Sequence, residues 1–304
     1  MDDYRPLEKH YRTYTYFLKQ KFGAKVLRIS LDGGFSCPNK TNGKGGCIFC
    51  NAKSFSPASQ VTRSVTEQVE HVWSNVKHRE KYAGFIAYFQ PNTNTYAPIE
   101  ELTRVYNSAI SHKDCLGLAI GTRPDCLPDE TLNLLESINH KIFVTVELGL
   151  QSIYEKSLLW MNRGHNFDVF KTAVKKLSQK NISIGAHIIL GIPGENKEMM
   201  LEGARQISRL PIDILKIHQL QIIKNTPLET KWLNEPFPVW TIEDYSEFIT
   251  DYITYLRNDI IIQRLFSKGV YGEVIAPCFN IKELTDSIQG KLKTKEIIQG
   301  SNLK

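Results

Sequence analysis

What most limits the fold of this 304-residue chain is a regular alternation of short apolar runs with amphipathic stretches. Apolar runs lie at 26–31, 84–90, 116–122, 142–151, 182–192 and 214–223. They are continuous rather than alternating, the pattern of parallel strands buried on both faces. Helically spaced apolar residues fill 99–112, 129–140, 167–180 and 196–210 between them, with one more such stretch at 66–80. Repeated strand–helix units admit an open doubly wound sheet or a barrel. The six strands predict an α/β core over 25–230, preceded by an N-terminal segment, 1–24, with a helix over 7–22.

Past residue 225 the alternation stops. NTPLETKWLNEPFPVW reads as a loop, and 241–258 as an amphipathic helix opened by Thr241, with Asp244 three residues on in near capping-box spacing. A short mixed segment follows, and the basic last fourteen residues, KLKTKEIIQGSNLK, are expected to fray. Residues 231–304 thus form a C-terminal helical extension with a basic tail. Lys+Arg exceeds Asp+Glu by 38 − 32 = 6, which suits a polyanionic partner without requiring one. No run approaches the ~18–20 apolar residues of a membrane span. MDDYRPLEKHYRTY lacks a signal-peptide core, so a cytoplasmic protein with no membrane partner is expected. Thiols stay reduced there. The six cysteines therefore read as metal ligands or buried thiols, with the isolated Cys115, Cys126 and Cys278 structural.

Cys37, Cys47 and Cys50 are different. They follow the first strand in FSCPNKTNGKGGCIFCN, spaced C-x9-C-x2-C. Three thiolates are one short of the four that close a structural zinc or iron–sulfur site. Either a distant residue (His10, His71, His78 or Cys278) completes a zinc knuckle, or a cluster keeps one iron open. Polar residues then recur at strand ends, which in a barrel face the active site. FQPNTNTYAP follows the second strand and carries Gln90, Asn92 and Thr93, though Asn and Thr there also suit a capped turn. Arg123 ends the third strand in GTRPD. Glu147 and Gln151 interrupt an apolar fourth strand, and buried polar groups need partners. Arg163 stands in MNRGH. The fifth strand carries His187, a core or ligand-facing histidine, and ends in GIPGE, where Gly191 and Gly194 let the backbone approach a flat ligand. His218 and Gln221 lie on the sixth.

In this order on successive strands, the motifs resemble the radical S-adenosylmethionine (SAM) superfamily over about residues 20–230. GGFSCPN, CIFCN, YFQPNTNTYAP, TRPD, ELGLQS, MNRGH, GIPGE and VYGEVIAP together resemble a narrower set, the YhcC/YtqA-type group, related to the Elongator catalytic-subunit branch. The resemblance implies a partial (β/α)6 TIM-like barrel with an N-terminal helix and a C-terminal helical extension. It implies a 4Fe–4S cluster on Cys37, Cys47 and Cys50, its fourth iron chelated by the amino and carboxylate groups of SAM. By the same resemblance, Gln90, Asn92 and Thr93 receive the SAM ammonium, although Gln90 to Asn92 replace the usual Gly-rich turn. Glu147 and Gln151 suit the ribose, Arg163 the carboxylate, and Gly191 the adenine, with His187 nearby.

The activity implied is cleavage of SAM to a 5′-deoxyadenosyl radical that takes a hydrogen atom from its substrate. The narrower group implies modification of a tRNA wobble uridine, from 5-carboxymethylaminomethyluridine to the aminomethyl base. Partners would be tRNA, a reductant such as flavodoxin or ferredoxin, and a methyltransferase acting next. Lys175, Lys176, Lys180, Lys291, Lys293 and Lys295 are candidate phosphate contacts or ordinary solvated positions. Two alternatives stay open: a radical SAM oxidase of a small molecule such as a porphyrinogen, and a zinc-stabilised RNA-binding protein without catalysis.

Overall fold

Buried apolar runs become neighbouring strands, as their composition demands. The computed structural model describes residues 5–41, 43, 45–51, 63–270 and 272–303; residues 1–4 of the expected N-terminal segment lie outside these. β1 (Lys25–Leu31), β2 (Tyr82–Phe89), β3 (Cys115–Thr122), β4 (Phe143–Gln151), β5 (Ser183–Leu190) and β6 (Ile214–Gln219) pair in parallel, in chain order. The expected sixth strand, 214–223, divides. Its end forms a separate β7 (Ile222–Ile223), which later pairs antiparallel with β9 (Val274–Ala276). Between these in the chain, β8 (Ile261–Arg264) joins the free edge of β6 in parallel. The sheet is therefore a partial barrel of seven parallel strands rather than six, and the seventh comes from the segment after residue 230.

Helices Ile99–Ile110, Asp129–Asn139, Phe167–Gln179 and Lys197–Ser208 follow β2 to β5 and lay apolar stripes on the outside of the sheet. In the third, Phe170, Ala173, Val174 and Leu177 are buried at i, i+3, i+4 and i+7 spacing, and Asn166 caps its start by accepting from the amide of Val169. The expected helix over 66–80 ends early. It spans Val65–Ser74, opened by a Ser64–Glu67 capping box.

Inside, the barrel is layered. At its N-terminal end the helix Tyr14–Phe22, shorter than the expected 7–22 because Thr13 caps it, brings Tyr14 and Leu18 against Ile86, Ala119, Ile214 and Ile261. Thr13 also bridges to Ile262, so this segment sits beside β8. The layer above is charged, and the layer above that is a cavity at the C-terminal strand ends.

The tail does not fray. Helix Ile281–Thr294 packs on helix Ile242–Thr254, where Lys291 and Lys295 pair with Glu243 and Glu247. Beyond it, Gln299 donates from its backbone to the carbonyl of His10 and from its side chain to those of Arg257 and Ile260. Lys176 and Lys180 likewise pair with Asp129 and Glu136, the solvated-face reading of those lysines. Cys115 and Cys126 are buried, but Cys278 is exposed, contrary to expectation. Among the described residues no helix is long and apolar enough to cross a membrane.

Candidate active site

The loop after β1 carries the three cysteines and is pinned to the turn that ends the short helix Glu155–Trp160, which follows β4. Asn39 donates to the carbonyl of Asn162 at 2.6 Å, Asn162 donates to that of Gly46 at 2.7 Å, and the Ile48 amide donates to that of Met161 at 3.1 Å. Leu228 N–H reaches the carbonyl of Ile48. Gly46 takes φ +81°, a left-handed conformation suited to glycine. Cys37 and Cys47 are buried and Cys50 is half-buried. Burial pushes the Cys50 thiol up, opposed by the nearby Lys40 ammonium.

All three cysteines line one cavity of about 200 Å³. Gln90, Asn92, Thr93, Glu147, Gln151, Arg163 and His187 line it too, as do Arg123, His218 and Gln221. Gly191 is the exception among the expected site residues. At φ +86° it makes room for Trp240, whose indole nitrogen would lie 2.2 Å from an added Cβ and donates to the carbonyl of Leu190. It is not among the residues lining the cavity.

Arg163 crosses from its loop to the cysteines. Its Nη1 donates to Cys47 Sγ at 3.1 Å and its Nη2 to the carbonyl of Gly149 at 2.7 Å. The absence of a side chain at Gly149 lets both side chains sit there, since a Cβ would stand 2.6 Å from that Nη2 and 2.8 Å from Gln151 Nε2. Arg123 is held bidentately by Asp125 at 3.0 and 2.8 Å, and its Nη1 donates to the carbonyl of Arg163. It thereby holds the loop that presents Arg163. Gln151 adopts φ +73° at the end of β4, a strained conformation for a residue with a side chain and one that recurs at functional sites.

Below the cysteines lies a waist that sequence reading saw only in part. Glu147 is 1% exposed. It accepts from Arg28 at 2.5 Å, Tyr88 at 2.8 Å, His187 at 2.7 Å and Lys216 at 3.4 Å. Its carboxylate is thus committed to internal partners, whereas Gln151, at the end of the same strand, lines the cavity. Burial alone would raise the Glu147 carboxyl, but Arg28, Lys216 and His187 hold it well below the usual range. Burial pushes the Lys216 ammonium down to about 7 and His187 to about 4.

Among the described residues, three buried polar atoms in the cavity lining make no hydrogen bond: Thr93 Oγ1, Arg163 Nε and His218 Nε2. Buried polar atoms without partners are costly, and a bound polar ligand would satisfy them. Among the described residues no three His, Cys, Asp or Glu side chains close on a single metal ion. A polynuclear cluster does not ask for that, because each thiolate binds a different iron.

The sequence profile of the Radical SAM superfamily matches residues 37–207, and that of the Radical_SAM C-terminal domain matches 212–294. The chain belongs to the radical SAM superfamily. The radical SAM profile therefore starts at Cys37, the first cysteine of the cavity. The chain is 34% identical to YtqA of Bacillus subtilis over 302 residues, 98% of this chain and 94% of that protein. It is 29% identical over 155 residues to a tRNA uridine(34) acetyltransferase of Methanocaldococcus infernus, half of this chain but 28% of that protein. The fold matches a solved Elp3 of the same archaeon with a TM-score of 0.68 at 18% identity, covering 90% of this chain and 64% of that one. The cofactors of radical SAM enzymes are a 4Fe–4S cluster and SAM, and the donor set fits both: soft thiolates for iron, and an open guanidinium edge for a carboxylate.

Proposed function

We propose that this radical SAM enzyme acts on tRNA, converting 5-carboxymethylaminomethyluridine at the wobble position to the aminomethyl base: the carbon between amine and carboxylate is oxidised by two electrons to an imine, with SAM as the oxidant, and water then releases the two carbons as glyoxylate. The observation that carries the radical reading is the shared cavity, where three thiols meet unpartnered Arg163 and Thr93 atoms at the C-terminal ends of the strands. Support for the uridine comes from the likeness to the tRNA uridine(34) acetyltransferase over half of the chain.

When bound, the cluster and SAM supply a 5′-deoxyadenosyl radical able to take hydrogen from an unactivated carbon. The chain does the rest. Cys37, Cys47 and Cys50 would hold the cluster through their thiolates. Arg163 offers Nε to the SAM carboxylate while its Nη1 stays on Cys47. Thr93 Oγ1, with Gln90 and Asn92 on the same turn, serves the ammonium end. Gln151 meets the ribose. Phe49, Ile189 and Leu220 supply apolar lining that keeps water from the reacting carbon.

The test is anaerobic incubation of reconstituted protein with SAM, reductant and tRNA bearing the carboxymethylaminomethyl base, followed by nucleoside analysis. Appearance of the aminomethyl base is the expected result. Clean SAM cleavage with every wobble base unchanged would overturn the tRNA substrate while leaving the radical activity intact.

A further inference from the structure

The waist of the barrel carries more positive charge than its own groups can neutralise. Arg28, Lys216 and Arg264 surround Glu147, a carboxylate that acts on each of them. Arg28 takes Oε1 of Glu147, and Tyr88, His187 and Lys216 share Oε2. Burying charge in this way costs stability rather than adding it, so the arrangement calls for a use.

The surplus faces the cavity. Lys216, 1% exposed, lines the cavity floor. Its ammonium has three donors. One goes to the Tyr88 hydroxyl at 2.7 Å and a second to Glu147 at 3.4 Å, and the third has no partner among the described residues. His218 lies two residues on along β6, and so on the same face of the strand. Its buried Nε2 has no partner among the described residues, and its ring lies 5.8 Å from that of His187. These groups are on β6, a different element from the loop that presents Arg163 to Cys47. An anion placed there would meet Lys216 and His218 at once and would balance Arg28 and Arg264 from within a low-dielectric pocket.

We propose that Lys216, with His218 beside it, receives the carboxylate of the substrate's base side chain and so selects substrates that carry a negative charge there. The assignment rests on the wobble-uridine reading and names a specificity-determining residue for it. It does not involve Lys216 in the cluster, and removing Lys216 leaves Glu147 paired with Arg28, so the barrel keeps a neutralised carboxylate.

The experiment compares two anticodon stem-loops at saturating SAM, one with the carboxymethylaminomethyl base and one with its neutral carboxamide. Wild-type enzyme, Lys216→Met and Lys216→Arg are each assayed on both. A charge-assisted hydrogen bond is worth roughly 10-fold to 100-fold in binding. Wild type is expected to show a KM for the acid lower than for the amide by about that factor. Lys216→Met should erase the preference by raising the KM for the acid, with the KM for SAM unmoved, and Lys216→Arg should restore it. Equal use of acid and amide by wild type would overturn the proposal and leave the wobble-uridine reading standing. So would a preference that survives Lys216→Met, or a loss confined to the KM for SAM. If neither stem-loop is converted, the wobble-uridine reading fails. Calorimetry with the free acid and amide nucleosides then decides: acid-selective binding lost in Lys216→Met supports the carboxylate site, and its absence overturns it.

Discussion

Arg163 bridges the cysteine loop and the sheet: Nη1 stands 3.1 Å from Cys47 Sγ, and Nη2 donates 2.7 Å to the carbonyl of Gly149 on β4. One planar fork thus touches a cavity-lining cysteine and strand β4, while its Nε is left for an anion. Lysine is a point donor and cannot reproduce that geometry. Arg163→Lys should weaken SAM binding at least ~10-fold. It should also lower the midpoint potential of the cluster, because hydrogen bonds to cluster sulfurs favour the reduced state. Equilibrium binding and an EPR-monitored redox titration check the two effects separately.

Gly149→Ala tests the same corner from the backbone side. The new Cβ would meet Arg163 Nη2 and Gln151 Nε2, both ends of side chains that can swing away. Stability should fall by no more than ~1–2 kcal/mol, yet SAM affinity should drop as both side chains leave their positions. A variant that binds SAM normally would show that these two groups are not where SAM is held.

Lys216 gives a pH signature. Its ammonium is pushed from an ordinary 10.5 down to about 7 by burial, against the pull of Glu147 and with Arg264 and Arg28 adding to the fall. Tyr88, His187 and His218 face it too. Between about 7 and 10.5 the unfolded chain holds one proton more than the folded one at this site. This group therefore makes the protein more stable as pH rises through that window, and its cost is present in full below it. Carboxylate recognition runs the other way: the KM for the acid stem-loop should climb above pH 7, where Lys216 loses its charge. Lys216→Met should flatten both slopes in denaturation and kinetic profiles.

The C-terminal tail is a structural strap. Gln299 is 4% exposed, accepts from the Arg12 amide at 3.1 Å, and donates to the carbonyls of Arg257 and Ile260. Gln299→Ala strips partners from several buried backbone groups. It should cost ~1–3 kcal/mol in chemical denaturation without changing the cluster's visible spectrum. A frayed tail would predict no change.

The parts legible in the sequence were those carried by period and by turn residues. Five strands fell within a few residues of expectation because each carries a largely apolar run of strand length. The Thr241 cap is present, accepting from the Asp244 amide at 3.0 Å. β8 was missed because four residues, IIQR, with no helix after them carry too little pattern to separate from a loop. The tail was misread from its charge: its lysines are paired across helices, and composition does not reveal a partner 48 residues away. The waist was half-read. Glu147 was singled out as a polar residue in an apolar strand, but the same reasoning applied to Arg28 in KVLRISL and Lys216 in ILKIHQ. Those two interruptions were the available signal. Which buried charges meet is set by strand register, with His187 opposite Lys216 and Lys216 opposite Arg264, and no local rule supplies it.

Everything turns on what Cys37, Cys47 and Cys50 hold. Purified and reconstituted without oxygen, the protein should be brown, carry about four irons per chain, and release 5′-deoxyadenosine from SAM on reduction. Cys47→Ala should abolish the colour and the release together. A colourless protein with one zinc per chain and no 5′-deoxyadenosine would contradict the account.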